Sequence, residues 1–145
     1  MYNFDEKDID ILNLLNKDAK LTSLQISKKT GIPATTIHNR IKKMEANGII
    51  LRYSIVTDTK KLGMKIKAYI MVCVEYMTPA GRKISQTELA QEIKEYPLVD
   101  EVSIITGGTD ILVKVHSKDV DELNDFIINK LRSVDGVAKT DTMIV

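Results

Sequence analysis

The hydrophobic period of the chain changes near Lys65, and that change limits the fold more than any other feature. Before it, apolar residues recur at helical spacing. Ile9, Leu12 and Leu15 form one stripe, with Ile11 and Leu14 beside it, and Ile37, Ile41 and Met44 repeat at i, i+4, i+7. After it, runs such as Lys67–Tyr76 and Ile111-Leu112-Val113 carry apolar residues on both alternating faces. One layer cannot satisfy both periods. The 145 residues are therefore expected to hold a helical part followed by a mixed part, an α+β chain.

In the first part, a helix is expected over residues 5–18, its acidic first turn (Asp5, Glu6, Asp8) suiting the positive end of the helix dipole. Thr22 and Gln25 have capping-box spacing and open a second helix, with Leu24 and Ile26 inward and Gly31 at its end. A third helix runs from about Pro33 to Asn47, with Thr35, Thr36, His38, Asn39, Lys42 and Lys43 outward. Asn47-Gly48 ends it, and Ile49–Val56 reads as a short strand before the polar linker 57–61 and Gly63.

In the second part, a strand over Lys67–Tyr76 meets a break at Pro79-Ala80-Gly81. Ser85 and Glu88 repeat the capping-box spacing before a helix with Leu89, Ala90 and Ile93, stopped by Pro97. Strands over Val99–Thr106 and Asp110–His116 flank the turn Gly107-Gly108. Ser117 is expected to cap a helix with Val120, Leu123, Ile127 and Leu131 inward. Asp135-Gly136 turns into a last strand, Val137–Val145. The order β-α-β-β-α-β is that of a ferredoxin-like sandwich. The first strand puts Ala68, Ile70, Val72 and Val74 on one face and Tyr69, Met71 and Cys73 on the other. Helices can cover only one face, so a homodimer is expected to cover the second.

The formal net charge of +1 hides an asymmetry. Residues 1–66 carry +5 and residues 67–145 carry −4; within the first part, residues 17–65 carry +8. A basic block of this kind points to nucleic acid or an anionic surface. A membrane is not expected: the longest uncharged apolar stretch, Ala68–Val74, is too short to span a bilayer. Residues 1–6 lack the basic region and apolar core of a signal peptide. The single Cys73 leaves no internal disulfide and no cysteine zinc site, and a cytoplasmic location is expected. His38 and His116 have no partners at metal spacing, and no P-loop, dinucleotide fingerprint or nucleophile elbow is present. No metal, cofactor or enzymatic activity is expected.

A short second helix, a glycine turn and a longer third helix with a polar outer face have the layout of a helix-turn-helix. In that layout the third helix enters the major groove of double-stranded DNA. Thr35, Thr36, His38 and Asn39 are suitable readers of base edges, since an Asn amide pairs with adenine and a Thr methyl meets thymine. Lys28, Lys29, Lys42 and Lys43 are suited to phosphates, and Arg52 with Tyr53 to a small wing on the backbone. Arg40 either reaches phosphate or braces the motif from inside. The plainer alternative for the lysine pairs is a solvated helix face. In the second part, Thr106-Gly107-Gly108-Thr109-Asp110 offers open backbone N–H groups to a carboxylate and an acceptor to an ammonium, a pair suited to an amino acid. The same spacing also describes an ordinary hairpin turn.

Together these residues resemble the Lrp/AsnC family, the leucine-responsive or feast/famine transcription regulators. The resemblance rests on Asp8-x-x-Ile11-Leu12-x-x-Leu15, on the run from Gly31 to Glu45, and on Gly48-Ile49-Ile50. It extends through Lys61-Leu62-Gly63 and Thr106-Gly107-Gly108-x-Asp110, and so spans nearly the whole chain. It implies a winged helix-turn-helix domain at residues 1–50, a strand-bearing linker at 51–64 and an effector-binding, oligomerising ferredoxin-like domain at 65–145. It implies DNA contacts from Thr35, Thr36, His38, Asn39 and Lys42 of the third helix, and an amino-acid effector site at Gly107, Gly108, Thr109 and Asp110, with Thr140 and Thr142 beside it. It further implies dimers that assemble into tetramers or octamers. The function expected is a sequence-specific DNA-binding transcription regulator modulated by an amino acid or related metabolite. The alternative is a metabolite-binding oligomer whose helical part contacts protein.

Overall fold

A computed structural model describes residues 2–77 and 81–145; Pro79 and Ala80 of the expected break lie outside them. The chain divides into two units, residues 1–57 and 58–145.

The first unit is three helices, α1 (Glu6–Lys17), α2 (Ser23–Thr30) and α3 (Ala34–Ala46). Asp5 caps α1 in a complete capping box with Asp8, and Thr22 caps α2 in a second with Gln25. Gly31 ends α2 at a φ of 75°, a left-handed conformation that favours glycine. Ile11, Leu15, Ile26, Ile32, Ile37 and Met44 form the core, with Ile41 and Leu12 packed against it. Leu24 does not join them: it is 60 % exposed. Residues two apart on a helix point in nearly opposite directions, so Leu24 and Ile26 cannot both face inward.

The strand expected over Ile49–Val56 does not form. Residues 51–57 lie open as an arm without strand partners among the described residues, with Leu51 87 % and Ile55 79 % exposed. A strand exists only where a neighbour completes its hydrogen bonds, and none of the described residues does so here. A wide groove of about 1130 Å³ separates this arm from the C-terminal end of α1.

The second unit is β1 (Ile66–Val74), α4 (Gln86–Lys94), β2 (Val99–Ile104), β3 (Ile111–Ser117), α5 (Val120–Asp125) and β4 (Val137–Ile144). The four strands form one antiparallel sheet in the order β2-β3-β1-β4, as the ferredoxin-like order requires. Ala68, Ile70, Val72 and Val74 of β1 and Ile111, Val113 and Val115 of β3 pack beneath Leu89, Ile93, Leu123 and Phe126 of the helical layer. The other face of the sheet carries Tyr69, Met71 and Leu112 half-buried and Met143 exposed.

Two details differ from expectation. Ser117 is the last residue of β3, and Asp119 is the true cap of α5, accepting from the Glu122 N–H at 2.8 Å. Past Asp125 the helix widens into a single π turn, Phe126–Lys130, and then tightens into a 3₁₀ turn, Leu131–Ser133. Leu123, Phe126, Ile127 and Leu131 still face inward through this change, whereas Val120 is 45 % exposed.

Candidate nucleic-acid interface and ligand turn

The third helix presents two neighbouring stripes. Thr35, Asn39 and Lys42 recur at i, i+4, i+7, with His38 beside them, and all four are exposed. Thr36, Arg40 and Lys43 repeat the same spacing one residue later and form a flank, on which Thr36 and Arg40 are half-buried. Pro33 precedes α3 without a side-chain cap, so the positive end of the helix remains uncovered. Lys28 and Lys29 lie in the last turn of α2, where cations favour the helix dipole. None of Lys28, Lys29, Lys42, Lys43 and Arg52 enters an ion pair among the described residues. Their charge is therefore available to an anionic partner.

Of the two roles open to Arg40, the structure shows the internal brace. Its Nη1 donates to Asp5 Oδ1 at 2.7 Å and to Asp8 Oδ1 at 2.9 Å. Asp8 is fully buried and also accepts from the Tyr2 hydroxyl at 2.8 Å and the Asp5 N–H at 3.1 Å. This arginine ties α3 to the start of α1. The pairing holds the Asp5 carboxyl below its ordinary range, with the Arg40 hydrogen bond as the largest cause, and raises the guanidinium further above its own. Tyr53 is likewise engaged: its hydroxyl donates to Glu45 Oε1 at 2.8 Å. Burial first, and then this bond, push the phenol up to about 12, so it remains a donor at neutral pH. Arg52 beside it is exposed on the open arm.

In the second unit the turn between β2 and β3 is anchored by its own aspartate. The Asp110 carboxylate accepts from the Val74 N–H at 2.7 Å, the Tyr76 hydroxyl at 2.6 Å and Gln86 Nε2 at 2.9 Å. Tyr76, the first cause, holds the Asp110 carboxyl below its ordinary range. An acceptor committed to three donors of its own domain is a staple and is poorly placed to receive an ammonium as well. It fixes the turn to the end of β1 and the first residue of α4. Sequence order alone could not reveal this, because Tyr76 and Gln86 lie 34 and 24 residues from Asp110.

Gly107, at a φ of 136°, and Gly108 are exposed, and nothing lies within 4 Å of where a Cβ would stand on either. Gly108 offers its carbonyl to the Cys73 thiol at 3.7 Å. Thr140 lies at the same end of the sheet, opposite Val72, but points toward the helical layer, where its hydroxyl accepts from Arg132 Nε at 2.9 Å. Thr142 is opposite Ile70, two residues further along β4, and exposed. The structure thus groups Gly107, Gly108, Thr109 and Asp110, places Thr140 one strand beyond β1, and sets Thr142 further off.

The staple has a measurable consequence. Asp110→Ala leaves the Val74 N–H without its acceptor and is expected to destabilise the second unit by about 1–3 kcal/mol. Chemical denaturation checks the loss, and faster hydrogen exchange at the Val74 amide places it.

Two family models cover this chain. A winged helix-turn-helix DNA-binding model matches residues 4–50, and the Lrp/AsnC ligand binding domain matches residues 69–145. The chain belongs to the Lrp/AsnC family. The HTH-type transcriptional regulator FL11 of Pyrococcus furiosus is 38 % identical over 141 residues, covering 97 % of this chain and 88 % of its own. Among solved structures, E. coli AsnC superposes with a TM-score of 0.82 at 28 % identity, covering 99 % of this chain and 93 % of AsnC. A transcriptional regulator of Neisseria meningitidis, solved in complex with L-methionine, shares the fold with a TM-score of 0.88 at 24 % identity, over 99 % of this chain and 90 % of that one. This Lrp/AsnC chain is thus a transcriptional regulator with a helix-turn-helix domain and a ligand-binding domain. No described helix is long and apolar enough to cross a membrane.

Proposed function

We propose that this regulator binds a pseudo-palindromic DNA site as a dimer or higher oligomer, with α3 in the major groove. The observation that carries the reading is the exposed Thr35–Asn39–Lys42 stripe, together with Lys28, Lys29 and Lys43, none of which enters an ion pair among the described residues. Two such helices in a dimer read half-sites about 34–36 Å apart, or a multiple of that spacing. Fluorescence anisotropy across a salt series tests it: affinity falls steeply with salt if phosphates are neutralised, and a flat response refutes it. Within this frame Asn39→Ala loses about 1–3 kcal/mol of discrimination at one base position. Lys42→Ala weakens all sequences alike and lowers the salt slope by about one. Competition between selected and scrambled duplexes separates the two effects.

The open turn at Gly107, Gly108 and Thr109 is the candidate site for an amino acid or a related metabolite. The name of the matched domain and the L-methionine complex of the Neisseria regulator support this reading. A ligand shifts assembly or DNA affinity only by its differential affinity for the two states. The half-buried sheet face with Tyr69, Met71 and Leu112, and the open arm with Leu51 and Ile55, favour a second copy as cover. Thermal-shift screening of the twenty amino acids together with light scattering checks both parts. A monomeric mass at micromolar concentration refutes the assembly, and twenty null shifts refute the amino-acid site.

A further inference from the structure

The two stripes of α3 have different surroundings. Beside the flank stripe lies a cleft of about 650 Å³, lined by Tyr2, Asn3, Thr36, Asn39, Arg40 and Lys43 among others. No aspartate or glutamate lines it. Tyr2 is fixed through its hydroxyl on Asp8, and this holds the neighbouring Asn3 beside α3. Asn3 is exposed, and among the described residues neither its side chain nor the Thr36 hydroxyl has an internal partner. The cleft therefore collects an amide, a hydroxyl and the Lys43 ammonium around an open volume, while the Arg40 charge beside it is already met by Asp5 and Asp8. This set of donors fits an oxyanion. The base-reading stripe, Thr35, Asn39 and Lys42, is about one residue's rotation away, so a helix seated in the groove brings this flank toward a backbone strand.

We infer that the cleft between residues 2–3 and α3 is a seat for one backbone phosphate of the DNA, with Asn3, Thr36 and Lys43 as its donors. This rests on the reading that the helical unit binds DNA. It moves Thr36 from the base-reading set to the backbone set, and it adds Asn3, which lies outside the helix-turn-helix itself.

The test uses the full chain and a duplex recovered by selection from a random library. Asn3→Ala and Thr36→Val each weaken binding to the selected duplex and to a scrambled one by the same factor, roughly three- to tenfold. Both leave the salt slope unchanged, whereas Lys43→Ala lowers it by about one. Replacing one phosphate of a half-site with methylphosphonate reproduces the loss, and Asn3→Ala then has no further effect. Melting followed by circular dichroism confirms that the variants fold. Wild-type affinity in both Asn3→Ala and Thr36→Val overturns the seat, as does the absence of coupling to any phosphate. A changed base preference on reselection with Thr36→Val overturns it too, because that marks a base contact. Absence of salt-dependent DNA binding by the unaltered chain overturns the reading of the helical unit along with the seat.

Discussion

Arg40→Ala unfolds the helical unit more readily than any single exposed change in it, by about 3–5 kcal/mol, the range for removing one partner of a buried ion pair. The reason lies in what remains. Asp8 has no exposed surface, and without Arg40 only the Tyr2 hydroxyl and one backbone N–H donate to its carboxylate among the described residues. The partial exposure of Arg40, 23 % at its side chain, places the expected value toward the lower end of the range. The pH dependence has a definite sign. Asp5 is held below its ordinary range by Arg40, so the stability it adds is present above the ordinary carboxylate range near 4 and is lost as pH falls through its lowered value in the folded chain. Arg40→Ala removes that component, so the wild type loses more stability than the variant on acidification and the gap between them narrows. Urea denaturation at pH 7 and pH 3, followed by hydrogen exchange at Ile11 and Ile37, measures both. An equal deficit at the two pH values refutes the account.

Gly136→Ala is the second large effect, in the other unit. Gly136 has a φ of 99°, in a region that side-chain-bearing residues rarely adopt. A Cβ there would stand 2.7 Å from Ile84 Cδ1 and 2.8 Å from Ile84 Cγ2. Ile84 is buried beneath the turn, and its N–H is bonded to the Tyr76 carbonyl at 3.0 Å, so it cannot simply move aside. The Gly136 carbonyl also accepts from the Glu75 N–H at 2.8 Å, which fixes the turn against the end of β1. Conformational strain of about 1–2 kcal/mol adds to overpacking of about 1–3 kcal/mol. The expected loss is about 2–5 kcal/mol in thermal or chemical unfolding of the second unit. Gly136→Ala with Ile84→Val tests the cause. The double variant keeps Ile84 Cγ2 but removes Cδ1, so it recovers part of the overpacking and none of the φ strain.

The α3 stripe, the Thr22–Gln25 capping box and the β-α-β-β-α-β order were legible because each depends on residues a few positions apart, whereas at Ser85 only the serine half of the expected box forms. What was not legible depends on partners far along the chain or outside it. Arg40 meets Asp5 and Asp8 across 35 and 32 residues, so its choice between brace and phosphate could not be read from the helix alone. Asp110 is an acceptor in any reading, and only the fold shows that Tyr76, Gln86 and Val74 already use it. Residues 49–56 carry every local mark of a strand, yet strand formation is a property of a pair, and no pairing segment lies among the described residues. The π turn at Phe126–Lys130 was hidden for a related reason. Leu123, Ile127 and Leu131 have ordinary helical spacing, and one extra residue per turn changes the backbone ladder without expelling any of them from the core.

The open arm also has a consequence for solubility. From Ile49 to Val56 the sequence reads Ile-Ile-Leu-Arg-Tyr-Ser-Ile-Val, with one charge, no proline and a high β propensity. From Leu51 onward it has no strand partner among the described residues, and a segment of this composition with unpaired backbone is a template for uncontrolled stacking of chains. Arg52 is the only charge that interrupts it, and in the separate chain it acts as a gatekeeper as well as a candidate contact for DNA. With a second copy as the cover, as proposed above, the separate chain is the aggregation-prone form of this protein. Dilution, which ordinarily protects against aggregation, would on that proposal release the very segment that causes it.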